Sequence, residues 1–196
     1  VRRVVVAPED PEALLQLMAA PRVRIVSLTV TEKGYCHDPA TGALDERHPD
    51  IVHDLRTPET PVSAPGLIVR ALELRRAAGS APFTVLCCDN LPANGATTAR
   101  VVTAFAGLRD PELAEYIARE VAFPSTMVDR IVPATADLDR DLVRRESGLG
   151  DAWPVVTEPF AQWVIEDHFT AGRPPLEAAG AELVGDVLPF ELMKLR

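Results

Sequence analysis

The stretch "LCCDNLPANGATTARVVTAF", residues 86–105, decides how the chain is read. An apolar run stops at Asp89-Asn90, a turn with Pro92 and Gly95 follows, and a helical pattern begins. Strand, sharp polar turn and helix form the repeating unit of an α/β fold. The turn carries an Asp, two Asn and a Gly where ordinary turn residues would suffice. That choice needs a reason.

Working outward, the same alternation recurs. "RRVVVAP" (2–8) reads as a short strand, and "DPEALLQLMAA" as a helix with Asp10 as cap and Pro11 at its first position. "RIVSLTV" (24–30) is a β-branched buried strand that ends in "TEKGYCHDPATGALDERHPD", a loop rich in turn formers. "SAPGLIVRALELRRAAG" (63–79) is a helix closed by Gly79, and "PFTVLCC" (82–88) is the next buried strand. Cys87 and Cys88 should face opposite sides of it. "GATTARVVTAFAGL" and "DPELAEYIAREV" are two helices, the second capped by Asp-Pro. "TMVDRIVP" reads as a strand, and "ATADLDRDLVRRESGLG" as a short helix or loop. "WPVVTE" and "FAQWVIED" suggest strands of an antiparallel or mixed extension. Trp153, Phe160, Trp163 and Phe169 would build core around it. "DVLPFELMKLR" (186–196) starts a helix.

Strand, helix, strand, helix, strand gives a mostly parallel sheet, and in such sheets ligands sit at the carboxyl ends of the strands. Two of those ends carry the most polar chemistry, "VTEKGY" and "CDNLPANG". Bulk properties narrow the partners. The chain has 196 residues, 47% hydrophobic and 25% charged, with a net charge of -9. This disfavours nucleic acid and acidic membrane surfaces, which attract basic patches. The cluster Arg70, Arg75 and Arg76 sits at helical spacing and reads as a solvated helix face. No stretch is long and apolar enough for a membrane span, and the first residues lack the core of a signal peptide. Three cysteines, two of them adjacent, make poor material for a disulfide framework and fit a reducing cytoplasm. Lysine occurs only at Lys33 and Lys194.

Several motifs are missing. No G-x-G-x-x-G opens a helix, and there is no H-E-x-x-H, C-x-x-C or G-x-S-x-G. Cys36, His37, Asp38, His48 and His53 crowd one acidic loop, but their spacing fits no zinc pattern, and loops carry polar residues for solubility.

Taken together, "VSLTVTEKGY", "CDNLPANG", "FPSTMVDRIVPAT", "EPFAQWVIEDHF" and "ELMKLR" resemble the long-chain mannitol dehydrogenase family. The family contains polyol 2-dehydrogenases and fructuronate and tagaturonate reductases. The resemblance covers essentially the whole chain, which looks like a central piece of the longer family members. It implies residues 1–185 as the later part of a Rossmann-type NAD(P)-binding domain, with helices on both faces of the sheet, and 186–196 as the start of a helical substrate domain. The family's Gly-rich loop would lie upstream, and the Asn and His that follow its catalytic lysine would lie downstream.

The resemblance further implies metal-independent interconversion of a polyol and a ketose with NAD or NADP. A sugar-acid reductase acting on a hexuronate is the second reading. Lys194 matches the general acid/base, Asn90 the residue that polarises the substrate oxygen, and Asp129 a residue beside cofactor and substrate. Glu32 and Glu191 match residues lining the proton path.

The chemistry is coherent. Oxidising a secondary alcohol requires a base for the hydroxyl proton and a donor for the developing alkoxide. A lysine serves as base only when its surroundings bring it down from about 10.4. Alone, each residue has a plainer reading: Asn90 a turn former, Asn94-Gly95 turn chemistry, Lys194 a solvated charge at a helix end, Asp129 an ion pair with Arg130, Glu191 a carboxylate near a helix start, His168 a packed or capping histidine. A non-catalytic α/β interaction domain is the reading from another class. Because several required groups are missing from this sequence, the chain by itself should show negligible turnover.

Overall fold

The computed structural model describes residues 3–194. Helix α1 (Pro11–Ala19) starts as expected, with Asp10 accepting from the N–H of Ala13 and Pro11 in the first turn. Strand β1 (Ile25–Leu28) pairs in parallel with β2 (Thr84–Cys87), in the register Ile25 to Thr84 and Leu28 to Cys87. Between them run α2 (Pro49–Arg56) and α3 (Ala64–Ala77). After β2 come α4 (Asn94–Arg109) and α5 (Pro111–Glu120).

A second, three-stranded sheet follows. Strand β3 (Thr126–Asp129) pairs antiparallel with β4 (Gln162–Glu166), and β4 pairs in parallel with β5 (Glu182–Val184). The mixed extension expected from "FAQWVIED" is therefore present. Helix α6 (Asp137–Ser147) projects between β3 and β4, and α7 (Leu188–Lys194) closes the described chain. The two sheets meet along residues 122–125: the N–H of Val85 donates to Ala122 O, and the N–H of Glu166 to Ser125 O.

Alternation along β2 separates two cores. Val85 and Cys87 face a cluster built with helix residues such as Leu15, Ile68, Leu72, Phe105 and Ile117. Leu86 and Cys88 face a second cluster with Ile165, Ala181, Trp163 and Phe169. The two cysteines thus point to opposite sides, as the strand period requires.

Arg75 departs from the sequence expectation. It is only 2% exposed rather than solvated. Its Nη1 donates to the carbonyls of Met18, Ala20 and Val23 at 3.3, 2.9 and 2.8 Å, and its Nε to Ala81 at 2.7 Å. The guanidinium closes the carboxyl end of α1, where carbonyls otherwise lack partners. Burial pushes its pKa down from the ordinary arginine value.

Four other expectations change. Residues 3–8 form no strand, and Val4 and Val6 are 77% and 47% exposed; apolar β-branched residues make a strand only where a neighbour offers its ladder, and none does so among the described residues. "WPVVTE" is irregular, with Trp153 72% exposed and Phe160 53%, so only Trp163 and Phe169 of the four aromatics join core. His168 is exposed rather than packed. The polar loop after β1 holds a 3-10 turn, Glu32–Tyr35, and the start of α2, which runs on through residues 51–56, a stretch assigned no element from the sequence. The expected strand's first residue and the end of the last expected helix, residues 2, 195 and 196, lie outside the described part.

Candidate active site

The turn after β2 is built around Asn94, which is fully buried at the start of α4. Its Nδ2 donates to the carbonyls of Asp89 and Thr126 at 3.0 and 2.9 Å, and its Oδ1 accepts from the N–H of Thr126 at 2.8 Å. The side chain therefore ties the end of β2 to β3. Gly95 comes equally close: a Cβ here would lie 2.6 Å from Ser125 N and 2.7 Å from Pro124 C, besides meeting Phe123 O. Asn94-Gly95 is thus a buried strand-to-helix lock, not simple turn chemistry. The signal in the sequence was an Asn-Gly opening a helix with no hairpin partner.

Asp89 performs a second tie. Its carboxylate accepts from the N–H groups of Val30 and Thr31 at 3.0 and 3.1 Å, and from the Tyr35 hydroxyl at 2.7 Å. Burial, then hydrogen bonds with Cys87 and Asp89, push the Tyr35 phenol far above its usual range, so it stays a donor. Sequence reasoning gave Asp89 no role. With its neighbours so held, Asn90 stands exposed at the carboxyl end of β2.

Helix α7 supplies the other half. Val187, 3% exposed, packs with Met127, Val164, Val184 and Phe190 and anchors the helix on the second sheet. Asp186 accepts from the N–H of Leu188 at 2.9 Å and caps its start. The helix then carries Glu191 to the start of α4, where Oε1 accepts from the N–H of Ala93 at 3.2 Å. One turn further, Lys194 Nζ lies 2.8 Å from Asn90 Oδ1 and 2.7 Å from Val128 O. The amine and the amide, expected to meet, do meet.

A cleft of about 700 Å³ opens beside them, lined by Asn90, Asp129, Trp163 and Lys194 among others. A smaller cavity of about 250 Å³ adjoins it and holds Glu191 with Asn90 and Lys194. Lys194, Asn90, Asp129 and Glu191 are therefore gathered at one place. Glu32 is set apart: it lines a separate cavity with Asp89 and Asn90, one that Lys194 does not reach. Arg130 turns away from Asp129 and donates to Glu158 O at 3.1 and 3.0 Å.

The acidic loop has its own order. Cys36, His48 and Asp50 offer ligand atoms within 4.8 Å of one another, while His53 pairs with the buried Asp54. His48 Nδ1 already accepts from the N–H of Asp50 as the cap of α2. Burial first, then Asp50, Asp54 and Asp45, push the Cys36 thiol up to about 11. Within this group the capping role belongs to His48.

The cleft lies at the carboxyl ends of β2 and β3 and the amino ends of β4 and β5, and its amide beside an amine fits the reacting end of a nicotinamide cofactor. A phosphate cradle of Gly-rich backbone is not in this sequence.

The model of the mannitol dehydrogenase Rossmann domain matches residues 1–178. The chain belongs to the mannitol dehydrogenase family. It is 54% identical over 187 residues to a mannitol 2-dehydrogenase of Cereibacter sphaeroides, covering 95% of this chain and 39% of that protein. It is 51% identical over 185 residues to the D-mannonate oxidoreductase of Escherichia coli, covering 94% of this chain and 38% of the relative. The Pseudomonas fluorescens mannitol 2-dehydrogenase, solved as a ternary complex with NAD and D-mannitol, superposes with a TM-score of 0.89 at 48% identity, over 97% of this chain and 39% of that one. The chain thus spans about two fifths of the mannitol dehydrogenase relatives it matches, and its α/β fold is that of the family's Rossmann domain. No described helix is long and apolar enough to cross a membrane.

Proposed function

We propose that the full-length protein is a cytoplasmic NAD(P)-dependent oxidoreductase that interconverts a polyol and a ketose, with Lys194 as general base. Residues 1–185 would belong to its nucleotide-binding domain and 186–196 to the start of its substrate domain. The observation that carries this reading is the bifurcated anchoring of Lys194 by Asn90 and Val128 at the mouth of a cleft.

When bound, a nicotinamide dinucleotide supplies the hydride acceptor, or the donor in reduction. The chain's own residues handle the oxygen and its proton. An ammonium has no acceptor, so the Asn90 amide turns Oδ1 toward it and leaves Nδ2 for the alcohol oxygen. That donor stabilises the alkoxide as charge develops, an effect commonly worth about 3 kcal/mol of barrier. A neutral lysine has two N–H bonds and one lone pair. With both N–H groups directed at Asn90 Oδ1 and Val128 O, the lone pair is left for the hydroxyl proton. Glu191, sharing a cavity with Lys194, is suited to pass that proton outward, and Asp129 to position the substrate or nicotinamide. Glu32 shares no cavity with Lys194 and would take part only in the outer exchange of protons with solvent, from the neighbouring cavity that Asn90 also lines.

The likeness to a D-mannonate oxidoreductase supports the second reading, a hexuronate reductase. One assay separates them. The full-length protein is mixed with NAD or NADP and mannitol, sorbitol or arabinitol, and separately with NADH or NADPH and fructuronate or tagaturonate. The reduced cofactor is followed by absorbance. Polyol turnover at least tenfold above sugar-acid turnover supports the first reading, and the reverse the second. No change with any pair leaves a non-catalytic α/β domain. Residues 1–196 alone should give negligible turnover in every arm.

A further inference from the structure

Thr31 is the one described non-glycine residue in a backbone region that glycine nearly monopolises, with φ 62 and ψ 169. The two other non-glycines with positive φ, Cys36 and Ala93, sit in the ordinary left-handed region. A β-branched residue in such a conformation persists only where its surroundings over-determine it. Thr31 makes no capping bond with its own side chain. The constraint comes from Asp89, whose two carboxylate oxygens accept from the consecutive N–H groups of Val30 and Thr31. Asp89 is itself fixed by Tyr35, 1% exposed, whose hydroxyl also lies 2.7 Å from Cys87 Sγ. The residue after Thr31 is Glu32, and the residue after Asp89 is Asn90. All four line one cavity of about 390 Å³.

We propose that Asp89 is a positioning residue: its carboxylate holds Thr31 in the strained conformation and thereby sets Glu32 and Asn90 at a fixed separation. This rests on the reading of Asn90 and Lys194 as the reactive centre. Its carboxylate oxygens are engaged by the N–H groups of Val30 and Thr31 and by the Tyr35 hydroxyl, so it acts through the two loops. Asn at this position keeps the size but offers one acceptor and one donor, so one of the two backbone N–H groups loses its partner. Glycine at position 31 adopts the conformation without a clamp.

The test uses the full-length protein with its best substrate and cofactor. Asp89→Asn should lower kcat at least tenfold with the cofactor KM changed less than threefold, and adding Thr31→Gly should recover at least threefold in kcat. Amide hydrogen exchange at Val30 and Thr31 should be slow in the wild type and at least tenfold faster in Asp89→Asn. A folded Asp89→Asn protein with kcat within twofold of wild type, or no recovery by Thr31→Gly, overturns the proposal. If Asp89→Asn does not fold, Tyr35→Phe removes one anchor of the carboxylate and should lower kcat three- to fivefold; an unchanged kcat overturns it. Exchange that is fast in the wild type, or unaltered in the variant, also overturns it. A wild-type protein with no turnover but the expected exchange pattern defeats the catalytic reading and leaves the clamp standing.

Discussion

Lys194 Nζ and Asn90 Oδ1 lie 2.8 Å apart although 104 positions separate them in the chain. The contact depends on two supports: the Asn94 lock beneath the turn and the Val187 anchor beneath α7. If Asn90 then turns its Nδ2 to the alcohol oxygen, Asn90→Ala in the full-length protein should slow turnover by roughly two or three orders of magnitude, with melting temperature nearly unchanged. A loss below threefold in steady-state kcat would return Asn90 to the status of a turn former.

The lock itself makes a stability prediction. Gly95→Ala forces a methyl against the backbone of residues 123–125, which cannot swing aside as a side chain can. Overpacking of this kind typically costs about 1–3 kcal/mol. Asn94→Ala strips buried partners from Thr126 and Asp89 and should cost a similar amount, roughly 1–3 kcal/mol, from unsatisfied buried groups. Urea unfolding of the two variants measures both. Midpoints equal to wild type would mean that the strand ends are held by something else.

The thiols give a pH dependence. Burial, helped by neighbouring acidic groups, pushes Cys36 and Cys88 up to about 11 from an ordinary 9.0. Below pH 9 folded and unfolded chains both keep these protons, and stability does not depend on them. Between about pH 9 and 11 the unfolded chain loses protons that the folded chain retains, so stability falls as pH rises through that window. Denaturant titrations at pH 8, 9.5 and 10.5 should show the decline, reduced in a Cys36→Ser, Cys88→Ser variant. A flat profile, or fast alkylation of the native thiols at pH 8, contradicts the burial argument.

How much of this could be read from residues alone depends on the range of the interactions. The β2-turn-α4 unit was legible because an apolar run, a turn and a helical period are all local signals. The meeting of Lys194 with Asn90 was legible only through several separate motifs resembling one family, since nothing local links residues so distant. Asp89 and Asn94 were missed for the same reason: Asn94 bonds Thr126 and Asp89 bonds Thr31, both far along the chain. Residues 3–8 and "WPVVTE" show the opposite error. Their composition favours strands, but a strand exists only in a ladder, and neither segment has one among the described residues. Helix α2 did carry a signal, Pro49 in a first turn behind His48, but its polar surroundings read as loop. Arg75 was misassigned because helical spacing places residues on a face without saying what covers that face.

The central claim is that the Lys194 amine takes the proton of the alcohol, and the most direct measurement removes it. In the full-length protein, Lys194→Ala should lower kcat for alcohol oxidation at least a thousandfold, leave the dinucleotide dissociation constant within threefold, and recover part of the activity when a small primary amine is added at millimolar concentration. A Lys194→Ala protein that turns over within threefold of wild type, with no response to added amine, would contradict the account.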